Sequence, residues 1–115
     1  MDGNAPRDGL TPKVIPLEAG PGGRQRLLKG APETAGMRSG MVVLPPGASV
    51  GRHDTGAHEE QLLILEGEGE LRVEGSEPLP IAAGVAAYCP PHSLHDVVNT
   101  GSKALRYIYV VADAR

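Results

Sequence analysis

Three histidines and a glutamate stand at metal-ligand spacing in this 115-residue chain: His53, His58, Glu60 and His95. Imidazole nitrogens and a carboxylate together suit a borderline divalent transition metal, Fe, Mn, Ni, Cu or Zn. In an extended segment, side chains two residues apart point the same way. His58 and Glu60 then share a face and can reach one point, and His53 and Thr55 share parity. A threonine hydroxyl is a poor ligand for such a metal, so Thr55 suits the orientation of a neighbouring ligand by hydrogen bond. On this reading His58 matters more to the metal than Thr55. A satisfied core histidine at 95 and a surface hairpin histidine at 58 are the plain alternatives. Histidine coordinates only when neutral, so occupancy is expected to fall as pH drops through roughly 6.

The other reactive side chains signal less. Glu59 faces away from Glu60 by parity and is expected in solvent. His58 and Glu59 match only the first two letters of a zinc-protease helix pattern, whose second histidine is missing. His92 follows two prolines and suits a surface turn, with the mouth of a pocket as the alternative. Cys89 suits a small buried apolar residue, since no histidine–carboxylate pairing with it follows from the spacing. Tyr88, Tyr107 and Tyr109 are the only aromatic residues. They suit core filling, with one of them available to line a pocket. Tyr88, Cys89 or His92 serves as a general base only if it faces the cavity.

Strands must position these residues. From residue 25 onward, alternating apolar runs recur every 8 to 12 residues or so, the spacing of a sandwich or barrel. The pattern predicts strands over 25–29, 37–44, 49–53, 60–66, 69–74, 78–81, 85–89, 94–99 and 104–112. Glycine and proline punctuate the gaps at 45–47, 66–69, 74–76, 83–84, 90–91 and 99–101. No helix is expected, because the alanine-rich stretch 82–87 is short and broken by Gly84. Residues 1–23 are rich in proline, glycine and charge. They suggest a partly flexible N-terminal arm with one short strand at 13–17, leaving a single barrel domain over 24–115. If Glu60 points inward, Leu63 and Leu65 point outward. The last strand is likewise apolar on both faces. Such strands need cover from the other sheet or a second subunit, which makes a homodimer the expectation.

The same residues carry a family resemblance. Gly47, His53, Glu60 and Gly67 fall at the spacing of the first cupin motif, G-x5-H-x-H-x(3,4)-E-x6-G. Gly84, Pro90, His95 and Asn99 fall at that of the second, G-x5-P-x-G-x2-H-x3-N. Together they span about half the chain. Two positions depart from the pattern. Thr55 stands where the first motif has its second histidine, which makes His58 the candidate substitute. His92 stands where the second motif has glycine. The chain thus resembles the cupin superfamily. The resemblance implies an all-β, double-stranded β-helix barrel of jelly-roll type, with a metal inside among His53, His58, Glu60 and His95. It also implies a small-molecule ligand or substrate. Cupins of this size include dioxygenases, isomerases and epimerases, whose open coordination positions suit oxygenase or Lewis-acid chemistry. A non-catalytic binding or sensing module is the alternative, and a barrel without metal a third; the resemblance does not choose.

Bulk properties narrow the rest. Sixteen glycines and eleven prolines, with no phenylalanine or tryptophan, suit tight turns around an aliphatic interior. A net charge of -3 without a block of like charges offers no footprint for nucleic acid or an anionic membrane. No apolar run reaches spanning length, and the first residues lack the pattern of a signal peptide. One cysteine excludes an internal disulfide, so a cytoplasmic setting is expected.

Overall fold

A computed structural model describes residues 10–114. Of the expected N-terminal arm, residues 1–9 lie outside the described residues. A short 3₁₀ turn at Pro21–Gly23 leads into nine strands: β1 (Arg24–Lys29), β2 (Arg38–Leu44), β3 (His53–Asp54), β4 (His58–Glu66), β5 (Glu68–Val73), β6 (Leu79–Ala82), β7 (Ala86–Cys89), β8 (Leu94–Val98) and β9 (Leu105–Asp113). They form a five-stranded sheet in the order β1-β2-β9-β4-β7 and a four-stranded sheet in the order β3-β8-β5-β6. Every pairing is antiparallel.

The alternation in β4 shows why the sheets face each other as they do. Leu62 and Ile64 are 0% and 3% exposed, whereas Leu63 and Leu65 keep 37% and 41% of their surface. Burying one such side chain contributes about 1.5–3 kcal/mol, enough to fix the register, because a one-residue slip would exchange the two sets. In β9, Leu105, Tyr107 and Val111 turn inward on the same rule. The core between the sheets is aliphatic, built on Val42, Leu44, Leu62, Leu71, Ile81 and Leu105.

Two expected strands are absent or shortened. The predicted strand at 49–53 survives only as a Ser49–Val98 bridge and the two residues of β3. Gly51, at φ +103°, breaks the extended run, and its N–H turns to the Asp96 carboxylate at 2.9 Å. The predicted strand at 13–17 does not form. Pro16 has no N–H to give a ladder, and its carbonyl instead accepts from Gln25 Nε2 at 2.9 Å. No helix among the described residues is long and apolar enough to cross a membrane.

Candidate metal centre

β8 aims His95 into the interior, where it is 1% exposed. The strand is held at both ends. Before it, Pro90 restricts the backbone. After it, the buried Asn99 donates from Nδ2 to the carbonyls of Leu44 and Lys103, at 2.9 and 2.8 Å, and accepts from Gly101 N. β3 pairs with β8 so that His53 sits directly opposite His95. Their rings lie 4.1 Å apart, centroid to centroid, at 57°. From the other sheet, β4 delivers Glu60, whose side chain is 12% exposed. Donor atoms of His53, Glu60 and His95 all lie within 4.8 Å of one another.

The hydrogen bonds around these rings select which nitrogen is available. His53 Nδ1 is 2.9 Å from the Gly51 carbonyl, and His95 Nδ1 is 3.3 Å from that of Ser93. A carbonyl can only accept, so each Nδ1 carries a proton, and Nε2 is the nitrogen that holds a lone pair whenever the ring is neutral. His95 Nε2 is buried and has no hydrogen-bond partner. It lies 3.7 Å from Glu60 Oε1, too far for a hydrogen bond. A buried polar atom left this way costs free energy. A divalent cation between two lone pairs and a carboxylate would satisfy all three, so the donor set fits such a metal.

Glu60 also sets the local electrostatics. Its carboxylate holds the His95 imidazole above its ordinary range, against the opposing effect of burial. The Cys89 thiol, directly opposite Glu60 on β7, is pushed up to about 12, chiefly by burial and then by Glu60. It is fully buried, as its spacing suggests. Tyr107 is raised well above the phenol range, first by burial and then by Glu60.

His58 is held apart from the three-residue group. Its Nε2 is 3.1 Å from Asp113 Oδ1, its cross-strand partner on β9, and its Nδ1 lies 3.3 Å from the Thr55 carbonyl. Parity does place it on the Glu60 side of β4, where it lines the same cavity. Thr55 is buried and acts as a clasp. Its hydroxyl donates to the Pro90 carbonyl at 2.8 Å and accepts from Ser93 N at 2.9 Å, tying the exit of β3 to the start of β8. His92 is exposed at φ +55°, a left-handed conformation that explains why glycine suits this position of the motif. Tyr88 and Glu59 lie on the outer face and bond to each other at 2.8 Å.

A cavity of about 430 Å³ opens in front of His53 and Glu60, with His95 buried behind them. Tyr107 and Tyr109 form part of its wall, two aromatic residues where one was expected. Four arginines, Arg24, Arg26, Arg38 and Arg52, also line it. None of the four is a fixed position of either motif. The available signal was the spacing of Arg24 and Arg26, two apart and so on one face of a strand.

Comparison with known proteins agrees with this architecture. The cupin domain family profile matches residues 40–111. An oxalate-binding protein of Thermotoga maritima is 37% identical over 68 residues, which are 59% of this chain and 55% of that protein. The match therefore spans about half the length of that curated relative. The crystal structure of a Cupin 2 conserved barrel domain protein from Salinispora arenicola superposes with a TM-score of 0.73 at 28% identity, covering 90% of this chain and 91% of that one. An RmlC-like cupin family protein with a double-stranded β-helix fold from Methanocaldococcus jannaschii gives 0.70 at 24% identity, covering 91% and 94%. The two sheets described above are that double-stranded β-helix.

Proposed function

This chain belongs to the cupin family, and we propose that it holds one divalent metal on His53, Glu60 and His95 and uses it to bind a small acidic molecule. The observation that carries this reading is the buried, unpartnered Nε2 of His95, facing Glu60 and His53. Three protein ligands leave coordination positions open, and the cavity leads to them. When bound, such a metal supplies Lewis acidity or, if redox-active, dioxygen chemistry. The chain's own residues orient and select. The Gly51 and Ser93 carbonyls fix the two imidazole tautomers, and Glu60 offsets the cation's charge. Tyr107, protonated across the working range, offers an O–H donor at the wall. His58, engaged with Asp113, stays outside the ligand set.

The relative named for oxalate binding supports a small acid as ligand. Open positions on a two-histidine, one-carboxylate set support turnover of that acid by oxygenase or isomerase chemistry. A non-catalytic binding module is the second reading, favoured by a relative named for binding rather than for a reaction. Elemental analysis of protein purified without chelator or affinity resin tests the site, with about one divalent metal per chain expected. A metal-free preparation that takes up no Mn, Fe, Ni, Cu or Zn on titration would refute it. Oxygen uptake or product formation by the loaded protein separates the two readings.

The assembly we propose is a homodimer through the outer face of the five-stranded sheet, where Leu63, Leu65 and Tyr88 are exposed. Sedimentation at micromolar concentration should give twice the chain mass, and Leu63→Lys should return a monomer. A wild-type monomer would rule the dimer out.

A further inference from the structure

The cavity wall gathers positive charge against the charge of the protein as a whole. The chain carries a net charge of -3, yet four guanidinium groups line the cavity against two carboxylates, Asp54 and Glu60. Arg52 is engaged, with Nη2 2.9 Å from Glu74 Oε2. Arg24, Arg26 and Arg38 form no ion pair among the described residues. Asp54 is turned to its own loop, where Oδ1 accepts from Gly56 N at 2.6 Å. Guanidinium groups pair with carboxylate or phosphate through parallel N–H donors.

Strand register places the arginines away from the metal ligands. Glu60, Val111 and Arg38 form one row across β4, β9 and β2. Two interstrand steps set the Glu60 and Arg38 Cα atoms about 10 Å apart. Arg26 and Arg24 face Gly40 and Val42, in the next rows along the same inner face. Tyr109 lies in the row of Gly40 and Leu62, between the two ends. A side chain at Gly40 would collide with the Tyr109 ring, so the glycine lets that ring lie close against β2. The cavity, about 430 Å³, has room for on the order of ten waters. A two-carbon diacid on the metal would leave most of it empty and the three exposed arginines without an anionic partner.

We propose that the molecule bound here is a metal-chelating acid with a second anionic group, carboxylate or phosphate, at its far end, and that Arg24, Arg26 and Arg38 hold that group. The proposal rests on the reading of His53, Glu60 and His95 as metal ligands. It assigns the arginines to specificity, selecting longer diacids and phosphorylated acids over monoacids.

Pyruvate and 2-oxoglutarate test it, because they share a chelating α-keto acid head and differ in the distal carboxylate. In calorimetric titration of the Mn²⁺-loaded full chain, 2-oxoglutarate should bind roughly tenfold or more tightly than pyruvate. The variant Arg24→Gln/Arg26→Gln/Arg38→Gln should lose that preference while keeping its Mn²⁺ content and its affinity for pyruvate. Should that variant not fold, ionic strength decides on the wild type: the preference should shrink between 0.01 and about 1 M salt, as charge pairing at a part-open site is screened. No preference for 2-oxoglutarate in the wild type, or one that survives both substitution and salt, overturns the proposal. Mn²⁺ content is measured separately, so failure of the metal reading shows as absent Mn²⁺ uptake. In that event the preference is read on the metal-free protein, with the same two outcomes.

Discussion

The inner face of β4 changes character halfway along. At one end Leu62 and Ile64 are 0% and 3% exposed and pack in a core with Leu71, Ile81 and Leu105. At the other end, on the same face, His58 and Glu60 meet a cavity, the histidine pair from β3 and β8, and a wall of arginines. The first end satisfies every side chain by burial. The second leaves a buried imidazole nitrogen without a partner and several guanidinium groups without an ion pair among the described residues. One end of the barrel therefore supplies stability, which lets the other keep groups unsatisfied for a ligand. If that division holds, damage to one end should leave the other's property intact.

The largest effect should come from the packed end. Leu71→Ala removes a fully buried side chain from β5 and should cost about 2–5 kcal/mol in urea unfolding. The folded fraction should still bind one metal per chain. Loss of metal in step with loss of packing would erase the division between the two ends. His95→Ala is the converse. Metal affinity should fall on the order of 100-fold or more, because under the proposed assignment a direct ligand goes rather than an outer partner. The metal-free protein should lose less stability than Leu71→Ala does, since an unpartnered nitrogen leaves with the ring. Unchanged metal content in this variant would move the site elsewhere.

Thr55 and His58 sharpen the boundary. Thr55→Val breaks both hydroxyl bonds, to Pro90 O and from Ser93 N, and should cost about 1–3 kcal/mol. Because that clasp aligns β3 with β8, metal affinity should also fall by roughly tenfold. His58→Ala removes a pairing with the exposed Asp113 and should change metal affinity little. The opposite ranking would place His58 among the ligands and displace the donor set argued above.

A last effect is alkaline and belongs to Cys89. Burial pushes its thiol up to about 12, whereas in the unfolded chain it ionises near 8.5. Between those values the unfolded state binds fewer protons, so stability falls as pH rises, by about 1.4 kcal/mol per pH unit from this group. Cys89→Ala should flatten that slope, and the native thiol should resist alkylation at pH 8. Rapid labelling of native protein would contradict its burial.

Much of this division was visible beforehand. Strict alternation in β4 and β9 separates inward from outward residues by parity alone, and Leu63 and Leu65 are exposed as that rule requires. The glycine and proline breaks placed eight of the nine strands to within a few residues; the exceptions are 49–53, where Gly51 takes up a conformation that a β run excludes, and the expected strand at 13–17, which does not form. His53, His58, Glu60 and His95 stood out by residue type and spacing, and the fold gathers three of them, leaving His58 apart. The role of His92 in its turn became clear only with its φ of +55°.

The sequence by itself determined most of the strand set, the inward face of its long strands and the residue types able to bind a metal, because parity, turn chemistry and ligand softness are local properties. Tertiary structure alone decided which of those residues meet. It set His53 opposite His95 across β3 and β8, brought Glu60 to them from the other sheet, and turned His58 to Asp113. It also carried Arg24, Arg26 and Arg38 to the cavity of residues far from them in the chain. Such meetings depend on how two sheets close over each other, and no spacing along one strand encodes the distance to a strand in the facing sheet.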